Sequence, residues 1–75
     1  MQMSIQKQLS ALLALKTKYY RAIGNPHPEF AAQCQVDLIF KQVQSQPKYI
    51  DRLMAEEVED AATALTRVTT LHASA

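Results

Sequence analysis

Four carboxylates, Glu56, Glu57, Glu59 and Asp60, fall within five residues of one another. Clustered carboxylates are the raw material of hard-cation sites and of general acid–base chemistry. On a helix, however, about 100° per residue spreads these four over roughly 160°. They cannot converge on one ion, and they read as a solvated face.

The softer ligands are scattered. His27, Cys34 and His72 fall in three different segments, with no CxxC or HxxxH spacing to bind a metal. Cys34 has no base at a spacing that would activate its thiol, so it reads as a small hydrophobe beside Phe30 and Leu38. There is no Gly-rich phosphate loop and no nucleophile elbow. The sequence therefore indicates a non-enzyme with no catalytic residues, no cofactor and no metal.

The run KTKYYRAIGNPHPEF, Lys16 to Phe30, interleaves basic and aromatic side chains and so raises nucleic-acid binding. A single-strand surface needs rings and cations on one exposed face. On a helix they separate: Tyr19 and Tyr20 fall in the apolar half, Lys18 and Arg21 in the polar half near the C-terminus, where cations suit the helix dipole. The run is the end of an amphipathic helix.

Two charges break the apolar pattern. Lys16 sits near the centre of the first segment's apolar half, and Glu57 lies between Ile50 and Ala64 on the apolar side of the third. In an up-down-up arrangement they stand at similar heights, so they are expected to form an ion pair that fixes register more than it stabilises.

Positioning these residues falls to three segments. The chain has 75 residues, one Gly and three Pro, and the breakers gather at Gly24, Pro26 and Pro28 and again at Pro47. Between them lie Ala, Leu, Gln, Lys and Glu, all good helix formers. The reading is all-α, one helical domain over residues 1–75, with helices at about 4–23, 28–45 and 47–72.

In the first segment Ile5, Leu9, Leu12, Leu13, Leu15, Tyr19, Tyr20, Ala22 and Ile23 fill one half-circle. Ser4 suits the N-cap, Gly24 the left-handed C-cap. In the second, Pro28 suits the first helical position and Glu29 the first turn. Its apolar residues form two arcs, Phe30, Ala31, Cys34 and Leu38 against Ala32, Val36, Ile39, Phe40 and Val43. A surface helix normally needs one stripe. This segment is expected either to be the middle helix or to meet a partner chain as well, with Phe30, Cys34, Leu38, Val36, Phe40 and Val43 as the partner interface.

In the third segment Met54, Val58, Ala61, Leu65, Val68 and His72 recur at coiled-coil spacing, opposite a solvated face of Lys48, Arg52, Glu56, Glu59, Thr63, Arg67 and Thr70. Pro47 either ends the second helix or kinks one long helix of roughly 65 Å. The architectures are thus a three-helix bundle or a helical hairpin with a long, Pro-kinked second helix.

A chain this short hides only about 60% of its unfolded surface, and its single Cys allows no internal disulfide. Association is the remaining staple, so a homo-oligomer, most simply a dimer, or a protein complex is expected. A formal net charge of +1 supplies no field for nucleic acid, and no apolar run is long enough to span a membrane. The lone thiol suits the cytoplasm. The functional expectation is a small interaction module, an adaptor, inhibitor or small chaperone that self-associates or binds an amphipathic helix. The alternative is a DNA-binding regulator using a helix-turn-helix-like segment around 36–54, with Lys41, Lys48, Tyr49 and Arg52 facing the duplex.

Overall fold

The computed structural model describes residues 4–74, with side chains through residue 71. Three α-helices follow one another: α1 over Ile5–Ala22, α2 over Pro28–Gln44 and α3 over Ile50–Ser74, with a single 3-10 turn at Pro47–Tyr49. No strand occurs among the described residues. The fold is all-α.

Each boundary has a local cause. Ser4, in extended conformation, accepts the Lys7 N–H on its hydroxyl at 3.2 Å and starts α1. At the far end the Asn25 N–H donates to the Tyr20 carbonyl at 2.9 Å and the Gly24 N–H to that of Arg21 at 3.1 Å. This is a Schellman cap, and it needs the left-handed φ of +85° that Gly24 adopts. The Asn25 side chain then accepts the His27 N–H at 2.8 Å, and Pro28 opens α2 at a position where no N–H is missed. Arg21 and Glu29 close across the same turn at 2.6 Å.

Pro47 ends one helix and begins the next. Ser45 and Gln46 leave α2 through N–H bonds to the Gln42 and Val43 carbonyls, Gln46 adopts a non-helical φ of −127°, and Pro47 heads the 3-10 turn that feeds α3. A continuous kinked helix would require the residue before proline to remain helical, which the proline ring disfavours. The hairpin alternative is thereby replaced by three separate helices.

Packing centres on α1, which lies against both α2 and α3; α2 and α3 meet each other much less. The buried cluster draws Leu12 from α1, Val36 and Val43 from α2, and Met54 and Ala61 from α3, with Leu12 and Met54 fully enclosed. Ile5, Leu9, Leu13, Leu15, Ile39, Phe40, Ile50, Leu53 and Val58 pack around it. The molecule measures 43 × 25 × 16 Å. Its long dimension comes from α3, whose 25 residues run about 10 Å further than the 18 of α1 at 1.5 Å per residue.

Candidate interaction surface

The outward face of α2 carries Phe30, Cys34 and Leu38, one helical turn apart. Phe30 is 72% exposed, Leu38 50%, and Cys34 is exposed with a free thiol. Their row is separated from the core by the helix itself. Ala32, Val36 and Val43 point the other way and are buried, Ala32 completely. The two arcs of α2 thus have different fates, because α1 covers only one of them.

Of the two alternatives for α2, middle helix or helix that also meets a partner chain, the packing removes the first: the central helix is α1, whose apolar half-circle is broad enough to touch α2 on one flank and α3 on the other. Of the six residues assigned to a partner interface, Val36, Phe40 and Val43 are committed to the chain's own core, where Val36 and Val43 are 4% and 6% exposed. Only Phe30, Cys34 and Leu38 remain on an uncovered face. Apolar exposure of single residues is ordinary on a protein surface; three in register on one helix face form a row rather than a scatter.

Gln33 and Asp37 border this row on the side nearer α1, joined by an amide-to-carboxylate hydrogen bond of 2.8 Å. With Leu9, Ser10, Leu13, Val36 and Phe40 they line a shallow hollow of about 180 Å³ between α1 and α2. The row therefore has a polar edge.

Lys16 and Glu57 meet at a second hollow, of about 220 Å³ between α1 and α3, which Tyr19, Tyr20, Asp60, Ala61 and Ala64 also line. The expected proximity is present, but the ion pair is not. Among the described residues, ion pairs join Arg21 to Glu29 and Arg52 to Glu56, while Lys16 and Glu57 do not approach within 4.0 Å. Both remain partly exposed, and an exposed pair returns under about 1 kcal/mol for immobilising two long side chains. Nothing forces them together. Ala61 and Ala64 leave the space, and the two tyrosine rings stand edge to face at 5.5 Å beside it.

The α3 seam is occupied unevenly. Met54 and Ala61 are buried and Val58 packs on the core, whereas Leu65 and Val68 are only half-buried toward the end that outruns α1. The side chain of His72 lies outside the described residues. At the opposite end Tyr49 is 47% exposed, with the Lys48 ammonium and the Arg52 guanidinium 6.0 and 5.7 Å from its ring centre. No grouping of three or more metal-ligating side chains occurs among the described residues. No helix among them is long and apolar enough to cross a membrane.

One residue escaped the helical-wheel reading. Gln8 is 6% exposed, the only buried polar side chain among the described residues, and its Oε1 has no hydrogen-bond partner. The signal was available: Gln8 stands three residues after Ile5 and four before Leu12, within the apolar half-circle. Its polarity drew attention away from its position.

No protein-family model, no curated protein and no solved structure matches this chain.

Proposed function

We propose that the chain is a small helical protein–protein interaction module of the adaptor, inhibitor or small-chaperone kind, a three-helix bundle that acts by docking the outer face of α2. The observation that carries this reading is the row Phe30, Cys34 and Leu38, exposed along one side of a helix whose other side builds the core. A helix presenting anchors at i, i+4 and i+8 is one half of a helix-on-helix contact. Aromatic and aliphatic anchors of this type supply most of the energy in such contacts. On this reading the protein performs no catalysis and carries no cofactor, and the free thiol of Cys34 fits a reducing cytoplasm.

The test is the mass of the complex recovered with the tagged chain from its native cells, compared with the same chain bearing Leu38→Asp. The reading expects a complex larger than one chain that the substitution dissolves. A lone chain in both cases overturns it.

The second reading, a DNA-binding regulator, draws on the Lys48, Tyr49 and Arg52 group, where two cations flank an exposed ring directly after the short turn at Pro47–Tyr49. Against it, Arg52 is already paired with Glu56 at 3.6 Å, and the acidic run of α3 follows at once. Phosphate contacts are strongest at low ionic strength, so a titration there with no binding at micromolar protein removes this reading.

A further inference from the structure

The two charges that break the apolar pattern share one hollow. Lys16, Tyr19 and Tyr20 stand at i, i+3 and i+4 on α1, and Glu57, Asp60, Ala61 and Ala64 at i, i+3, i+4 and i+7 on α3, so each set lies on one helix face. Together they line the hollow of about 220 Å³. It belongs to α1 and α3, whereas the row Phe30, Cys34 and Leu38 belongs to α2. Departures of a sequence from its own pattern are expected where function resides, and here two departures on different helices converge.

The groups lining the hollow indicate what suits it. Lys16 supplies one ammonium, Glu57 and Asp60 supply two carboxylates, and none of the three belongs to an ion pair among the described residues. A cation alone would leave Lys16 unanswered, and an anion alone would meet two like charges. A zwitterion answers both signs. The tyrosine rings, edge to face at 5.5 Å, offer a further ring the same edge-on geometry, and Ala61 and Ala64 add apolar surface. The hollow is smaller than the roughly 300 Å³ at which sites for drug-sized ligands begin. A nucleotide is too large for it; an amino acid is not.

We propose that this hollow binds a free amino acid with an apolar or aromatic side chain. Its carboxylate accepts from the Lys16 ammonium, its ammonium donates to Glu57 and Asp60, and its side chain lies against Tyr19, Tyr20 and the two alanines. Such a ligand carries both charges on one carbon, so it bridges Lys16 and Glu57, which do not pair directly. About a dozen non-hydrogen atoms at ordinary ligand efficiency correspond to a dissociation constant of about 2 mM.

The test is an amide NMR titration of the full chain with three probes of one skeleton: L-phenylalanine, phenethylamine, which lacks the carboxylate, and 3-phenylpropionate, which lacks the ammonium. Up to about 50 mM, well above that constant, phenylalanine is expected to give saturating shifts centred on Lys16, Tyr19, Tyr20, Glu57 and Asp60. Each truncated probe should bind at least about tenfold more weakly, because a charge-assisted hydrogen bond is lost. Lys16→Met, which puts an apolar side chain in an apolar register, should weaken phenylalanine about tenfold without weakening phenethylamine. Glu57→Gln should weaken both without weakening 3-phenylpropionate, and it carries the test alone if Lys16→Met loses helical circular dichroism. No saturating shift, equal response to the three probes, or indifference to the substitutions overturns the proposal. So do shifts centred instead on Gln42 and Gln46, in the neighbouring hollow that Glu57 and Asp60 also line. None of these results touches the α2 docking face, which Leu38→Asp tests separately.

Discussion

Replacing Gln8 with leucine should make this protein more stable. The side chain is 6% exposed and its Oε1 accepts no hydrogen bond, so folding strips water from a carbonyl oxygen and returns nothing. An unsatisfied buried acceptor costs about 1–3 kcal/mol. Leucine is close to glutamine in volume, removes that penalty and adds apolar contact one turn below the fully buried Leu12. Taking about 1–2 kcal/mol as the gain, and about 4–8 °C per kcal/mol for a domain of this size, the melting temperature should rise by roughly 4–16 °C. The assay is thermal unfolding followed by circular dichroism, with both variants at the same concentration because association raises apparent stability by mass action. Gln8→Ala is the control, since it removes the same acceptor but leaves a cavity and should gain far less. A melting temperature for Gln8→Leu at or below that of the wild type would refute the reasoning, because it would mean that the amide is satisfied within the folded chain.

Other substitutions probe the remaining supports. Leu12→Ala or Met54→Ala empties a fully enclosed position and should cost about 2–5 kcal/mol, enough that urea unfolding detects a large unfolded fraction at low denaturant. Gly24→Ala meets no atom within 4 Å but must hold a φ of +85°, so it should lose about 1–2 kcal/mol in thermal melts with no change in helix content. Arg21→Gln breaks the 2.6 Å contact to Glu29, yet both side chains are more than half exposed, and the melting temperature should shift by less than the equivalent of about 1 kcal/mol.

How far the sequence reaches differs from element to element. Three helix ends were legible because each rests on a residue with one conformational specialty, the Ser4 hydroxyl, the positive φ of Gly24 and the missing N–H of Pro28, whereas Pro47 marked a break without saying whether it ends or kinks a helix. The apolar half-circle of α1 was legible for the same local reason, as periodicity fixes which residues share a face. Which neighbour a face meets is not a local property. Two arcs on α2 left open whether it was the middle helix or also met a partner chain; the breadth of the α1 stripe let α1 take the central place, leaving Phe30, Cys34 and Leu38 outside. Lys16 and Glu57 came to the same hollow as their heights implied, while their separation depends on hydration and side-chain entropy that spacing does not encode. Gln8 shows the reverse failure, a polar residue in an apolar register whose position outweighs its chemistry.

The account stands on α2 having its outer face covered when the protein is at work. Hydroxyl-radical footprinting, comparing the assembled protein with the same protein diluted until it dissociates, reads that coverage residue by residue. Phe30 and Leu38 should be labelled severalfold more slowly in the assembly, while Tyr49, in the turn beyond the C-terminal end of α2, is labelled equally in both. Equal labelling of Phe30 and Leu38 in the two states would contradict the account.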